Sequence, residues 1–258
     1  MGLLDRFLSA MRPPTQTRES GPPRSSNGAS SMHARWLGPL DGAEAAEVEL
    51  TIVDPPAGRH LHFWALQASF YSGRRRLGGA HLGLQWIAGH PGSTAANWGG
   101  YGADGSILDG TRSDLPSALN NPHTRDFVWQ PGRAYRLRID RGMAGWRGSI
   151  IDTSTGDTTV IRELLPGGDR LGSFVMWSEV FAPCEGPSTA VAWSSAAVER
   201  GGTRFDVADF ELNYQSYEDG GCTNTNTSIE ALGGRPHVVQ RTAVARVEPV
   251  GSTLHLGR

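Results

Sequence analysis

The chain contains no lysine, and all 24 of its basic residues are arginine. Arginine forks recognise carboxylate or phosphate when they cluster. The only tight cluster, Arg74-Arg75-Arg76, runs into Gly78-Gly79 and reads as a solvated hairpin turn. Codon usage is the plainer account of the bias. Charge is also scarce: charged residues make up 19% of the chain and the formal net charge is −2. Such a chain has no global field to draw in nucleic acid or an anionic membrane. Cysteine is limited to Cys184 and Cys222, too few for a disulfide framework and without zinc-type spacing. A pair and two free thiols both fit the sequence. No apolar run is long enough to span a bilayer. There is no P-loop, no dinucleotide fingerprint and no nucleophile elbow, which argues against nucleotide-driven chemistry. No repeat of 20–50 residues marks a propeller or solenoid.

What the chain has is glycine, 34 residues of it, together with eight tryptophans. Many short strands joined by tight turns fit that composition better than long helices. Alternation supports this reading. Val48, Leu50 and Ile52 oppose Glu47, Glu49 and Thr51, and Asp54-Pro55-Pro56 closes the strand. His60–Tyr71 and Gly79–Ala88 carry bulk on both sides and suit central strands. A meander covers Tyr135 to Leu164, and strands follow at Ser173–Phe181, Thr189–Val198 and Phe205–Tyr214, about ten in all. The expected fold is an all-β antiparallel sandwich of jelly-roll or concanavalin-like type, the class of lectins and glucanases, behind a disordered N-terminal tail.

Four stretches divide the chain. Residues 1–11 place Leu3, Leu4, Phe7, Leu8 and Met11 on one face of a short amphipathic segment, a docking element for a protein partner or a frayed turn. Its apolar run is too short and interrupted for a signal peptide, so the expected compartment is cytoplasmic by default. Residues 12–34 are rich in Pro, Ser, Gly, Thr and Arg and read as a flexible linker. Residues 35–218 hold the sandwich, and 219–258 a polar loop with one or two C-terminal edge strands. Within the sandwich, Gly89–Asn121 reads as a long irregular loop of the kind that carries function.

The segments His81-Leu82-Gly83-Leu84-Gln85, Trp129-Gln130-Pro131-Gly132-Arg133-Ala134-Tyr135-Arg136-Leu137, Trp146-Arg147-Gly148 and Ser173 to Phe181 together resemble a bacterial family known as domain of unknown function 3472. The resemblance covers roughly residues 60 to 215. It implies a sandwich-like fold and a glycan-related setting, because members often occur exported or beside carbohydrate-active modules. It supplies no catalytic residues.

The strand carrying Glu179 is the candidate site. Period-two alternation puts Trp177, Glu179 and Phe181 on one face. If that face lines a groove, the rings stack on sugars while the carboxylate accepts hydroxyl hydrogen bonds. Gln85, Trp86, Tyr101, His81 and Trp193 are candidate neighbours, with Trp98 beside Tyr101 in the long loop. The competing reading pairs Glu179 with an arginine and sends the aromatics into the core. Glycoside hydrolysis needs two carboxylates. Glu179 has no mate at nearby alternate positions, since 177 and 181 are aromatic and 183 is proline, leaving only Asp206 and Asp209. His60 and His62 form a weak metal pair. Asp104, Asp109 and Asp114 are candidate Ca²⁺ donors, with no cofactor otherwise expected. The leading expectation is a non-catalytic carbohydrate-binding sandwich. Next come an interaction module tethered through residues 1–11, then a glycoside hydrolase-like enzyme.

Overall fold

The computed structural model describes residues 30–257. The amphipathic segment 1–11 and the linker as far as residue 29 lie outside the described residues. Sixteen strands follow. The first eight are β1 (Ser30–Trp36), β2 (Ala45–Asp54), β3 (His62–Ser72), β4 (Arg75–Trp86), β5 (Thr94–Gly102), β6 (Thr124–Asp126), β7 (Ala134–Arg141) and β8 (Trp146–Asp152). The rest are β9 (Thr158–Leu164), β10 (Arg170–Val180), β11 (Ala190–Arg200), β12 (Thr203–Asp206), β13 (Asp209–Tyr214), β14 (Thr225–Leu232), β15 (Arg235–Thr242) and β16 (Thr253–His255).

They form two antiparallel sheets packed as a sandwich. Sheet A runs β16-β13-β1-β10-β3-β4-β5-β6, and sheet B runs β14-β15-β11-β2-β7-β8-β9 with β12 pairing β11. The inner faces carry the alternating apolar residues expected of a two-layer core. Sheet A contributes Trp64, Leu66, Phe70, Leu82, Leu84, Trp98 and Met176; sheet B contributes Val48, Leu50, Ile52, Leu137, Ile139, Ile150 and Trp193. Each large side chain removed from water stabilises the fold by roughly 1.5–3 kcal/mol relative to leaving it exposed. Gln240 ties the layers together: Ser178 and Trp193 donate to its Oε1 at 2.5 and 3.0 Å, and its Nε2 donates to the Met32 carbonyl at 2.9 Å. The two cysteines form a disulfide, Cys184–Cys222. It links the loop after β10 in sheet A to the segment before β14 in sheet B. Among the described residues no helix is long and apolar enough to cross a membrane.

Three sequence expectations change. Residues 30–34 are strand, not linker: β1 sits inside sheet A between β10 and β13. Its Ser-rich approach hides an ordinary alternation of Met32, Ala34 and Trp36 against His33 and Arg35. The expected loop Gly89–Asn121 contains β5, whose small residues Ala95, Ala96, Gly99 and Gly100 look loop-like in sequence. The polar C-terminal stretch holds β14, and β15 is interior to sheet B rather than an edge. Arg74 to Arg76 do occupy the β3–β4 hairpin.

Candidate functional site

Strand alternation turns one residue of each adjacent pair inward and the other outward. On β10, Met176 and Ser178 face the core, so Val175, Trp177 and Glu179 lie on the outer side of sheet A. On β3 the outward set is Phe63, Ala65 and Gln67. On β4 it is His81, Gly83 and Gln85. On β5 it is Asn97, Gly99 and Tyr101. The antiparallel register aligns them into rows. One row reads Glu179, Phe63, Gln85, Ala95 and Asp126, and the next His33, Trp177, Ala65, Gly83, Asn97 and Thr124.

Aromatic edges organise the middle of this face. Trp177 meets Phe63 at 4.9 Å and His81 at 5.7 Å between ring centroids, both edge to face. Phe63 also meets His81 at 5.4 Å, and His33 approaches Trp177 at 6.4 Å. Beside them is a groove of about 430 Å³ lined by Phe63, His81, Gln85, Asn97, Tyr101 and His123, among others. The loop before β6 forms its outer wall by folding back over β5. Gly99 permits this, because a Cβ there would overlap the His123 ring. Arg162, itself buried, donates to the Pro122 carbonyl at 3.1 Å and steadies that wall.

Two properties mark this outer face of sheet A. The first is unmet hydrogen-bonding capacity: Gln85 Oε1, Asn97 Oδ1 and Trp177 Nε1 are buried without a partner among the described residues. Buried polar atoms in folded proteins nearly always have partners, so such a cluster calls for water or a ligand. The second is near-neutrality. Burial lowers the His33 pKa, takes that of His81 down to about 4 with help from His123, and lowers that of His123, which Arg162 and Arg125 lower further. Burial pushes the Glu179 carboxyl up to about 7. No arginine pairs with it among the described residues, so that part of the competing reading of the sequence fails, while Phe63 and Trp177 do lie buried in an apolar cluster. Burial thus disfavours charge on all three imidazoles, and near neutral pH Glu179 carries a fraction of a charge.

Of the sequence-derived residues, Trp177, Glu179, Gln85, Tyr101 and His81 share this face. The others do not. Trp86 turns inward, packs against Trp129 and donates to the Gly58 carbonyl at 2.7 Å. Trp98 is fully buried and donates to the Trp146 carbonyl at 3.0 Å. Trp193 lies in the core under Gln240. In each case the apolar member of a neighbouring pair takes the interior and leaves its polar neighbour outside. Phe181 falls past the end of β10, in the loop leading to the disulfide, although its N–H still bonds the Leu61 carbonyl. Asp206 pairs with Arg204, and Asp209 accepts from His255, both away from Glu179. Asp104 is taken up by the Ser106 N–H and hydroxyl, and among the described residues no three His, Cys, Asp or Glu gather as a metal site. His62 is buried and bonded to the His60 carbonyl, with His60 outside the strand.

The sequence reading missed Asn97, Phe63 and His123. The signal for Asn97 was present, since Asn97, Gly99 and Tyr101 alternate with Trp98 and Gly100. Phe63 is a bulky residue on a strand with bulk on both faces. His123 reaches the groove through a loop contact that no periodicity records.

No family model matches the chain, and no curated protein matches it. Among solved structures it is similar to scytalido-glutamic peptidase bound to a peptide-based transition-state analogue, at a TM-score of 0.45 and 8% identity, over 84% of this chain and 98% of that one. It is similar to SCP-B, a peptidase of the eqolisin family in complex with the tripeptide Ala-Ile-His, at 0.44 and 8% identity over the same shares. The enzymatically active domain of bacteriophage CBA120 tailspike protein 2 matches at 0.29 and 14% identity, over 94% of this chain and 32% of that one. At these scores the likeness assigns neither family nor activity.

Proposed function

We propose that the outer face of sheet A binds an uncharged carbohydrate. The observation that carries this is the cluster of buried, unpartnered polar atoms on Gln85, Asn97 and Trp177 beside packed aromatic rings. Amides, neutral imidazoles, the Tyr101 hydroxyl and a protonated Glu179 each donate and accept, as sugar hydroxyls do. Tyr101, whose ring is exposed at the groove, supplies the apolar contact that sugar C–H surfaces need, while Phe63 and Trp177 pack against each other beside it. The only charge this face offers a ligand beside the groove is the partly ionised Glu179. The glycan setting implied by the family resemblance points the same way.

Affinity electrophoresis through gels containing laminarin, xylan, galactomannan or soluble starch tests the proposal. At least one polymer is expected to retard the protein. Gln85→Ala is expected to weaken that binding about tenfold, ~1.4 kcal/mol, with thermal stability unchanged. Free migration of the wild-type protein in every gel would end the proposal.

Glu179 supports a second reading, that the face is catalytic. A carboxyl titrating near 7 suits general acid–base work at neutral pH. The nearest acid in its register row is Asp126, four strands away, roughly 19 Å at ~4.8 Å per strand. Asp126 is also engaged by His90 at 2.6 Å. That spacing does not suit a two-carboxylate glycosidase, whose acids flank one bond. An amide, Gln85, lies nearer in the row as a donor for developing negative charge. Turnover of chromogenic glycosides or esters that disappears in Glu179→Gln would favour this reading over simple binding.

A further inference from the structure

The outer face of sheet A has a second hollow, of about 280 Å³, on the opposite side of the aromatic cluster. His33, Arg35, Gln67, Val175, Glu211 and Asn213 are among the residues that line it. The two hollows are continuous in register. A single row passes from Glu211 through Arg35, Val175 and Gln67 to His81 and Gly99. Gln67 lines one hollow, and its direct partner His81 lines the other. The neighbouring row runs from Asn213 through His33, Trp177, Ala65 and Gly83 to Asn97 and Thr124. It crosses seven strands, about 29 Å at ~4.8 Å per step.

Between the hollows the row carries two small residues, Ala65 and Gly83, both buried, with Ala65 packed in the Phe63 and Trp177 cluster. Gly83 has no room for a side chain, because a Cβ would overlap the β3 backbone and Ala65. Trp177, whose Nε1 is buried without a partner among the described residues, stands in register between His33 of one hollow and Asn97 of the other. Charge stays balanced at the far end, where Arg35 and Glu211 satisfy each other at 2.7 Å.

We propose that the two hollows are subsites of one cleft for a linear neutral polysaccharide, lying across the strands with the Trp177 cluster between them. The near subsite is Gln85, Asn97 and Tyr101. The far subsite is His33, Gln67 and Asn213. This rests on the carbohydrate reading above and adds the form of the ligand: a chain of several sugars rather than a single ring or terminal disaccharide. Binding energy is then spread over many modest contacts, so affinity grows with chain length until both hollows are filled.

Calorimetry with laminari-, xylo-, manno- and malto-oligosaccharides, from di- to octasaccharide, reads this directly. In the series that binds, affinity is expected to climb at least tenfold from disaccharide to the length that spans both hollows and then level off. Asn213→Ala, an exposed position, is expected to weaken the longest oligomers five- to tenfold and leave disaccharide binding unchanged. Gln85→Ala weakens both. Affinity independent of length, or an Asn213→Ala protein that binds the octasaccharide as tightly as wild type, would overturn the extended cleft while leaving the carbohydrate reading standing. Absence of binding by every oligomer and every parent polymer would overturn both.

Discussion

The two outer faces of this sandwich are built from the same kind of strand and finished in opposite ways. On sheet B the outward charged residues of β2, β7 and β11 are paired with one another, with Arg136 Nε alone among them lacking a hydrogen bond among the described residues. Arg138 donates to Glu47 at 2.8 Å and to both Glu199 oxygens at 2.8 and 2.9 Å. Arg204 also holds Glu47, Arg136 holds Glu49 at 2.9 Å, and Arg147 grips Asp140 through two bonds of 2.9 Å. These partners raise the Arg138 pKa and lower that of Glu199. On sheet A the outward residues are amides, imidazoles, rings and one lone carboxyl, with three buried polar atoms left unmatched among the described residues. A face whose groups satisfy one another needs no ligand. A face whose groups do not is destabilised by its own design, and binding is the ordinary reason for retaining it.

Breaking the matched face should have the largest effect on stability. Glu47→Ala leaves Arg138 and Arg204 without their buried carboxylate. Loss of a buried partner costs 3–5 kcal/mol in general, and the partial exposure of these arginines puts the expected loss near the bottom of that range, about 3 kcal/mol by urea denaturation. Polysaccharide binding should be untouched.

Glu179→Gln should act in the other direction. The folded state raises the Glu179 pKa from 4.5 to about 7, so it favours the protonated form. The resulting stabilisation is complete below pH 4.5 and is lost as the pH rises through 7. Allowing for water in the groove, the wild-type protein is expected to lose about 2 kcal/mol from this group between those values. Glu179→Gln should flatten that part of the curve and be the more stable protein at pH 8. An unchanged pH profile would mean that the carboxylate is matched after all. The smallest effect belongs to the exposed rim pair. Arg35→Ala removes the 2.7 Å bridge to Glu211 and should cost less than ~1 kcal/mol, measurable only at low salt.

The sheets were legible in the sequence wherever one face was apolar and the other polar, as in β2 and β7. Trp177 and Glu179 could be assigned to one face because two-residue periodicity fixes relative direction. Which side of the sheet that face occupied was not legible. When both faces carry bulk, alternation does not reveal which becomes interior, and so Trp86 and Trp98 were grouped with residues that point away from them. The neighbours of Glu179 come from register with strands more than a hundred residues away, Phe63 on one side and Ser31 on the other, and no local pattern carries that information. β1 and β5 were obscured by composition: serine beside one, and alanine and glycine throughout the other.

The position of β1 also bears on how the chain reaches this state. Its hydrogen-bonding neighbours are β10 and β13, so Ser30 pairs with Val180 and Met32 with Tyr214. β1 must wait for β10, about 150 residues later in the chain, to cover one edge and for β13 to cover the other. Pairings this distant in sequence slow folding and leave apolar strands exposed to other chains meanwhile. Truncation before Tyr214 should therefore give no partial sandwich, only an aggregating fragment. Shortening the chain from its C-terminal end is thus a far harsher perturbation of sheet A than any single substitution on its surface.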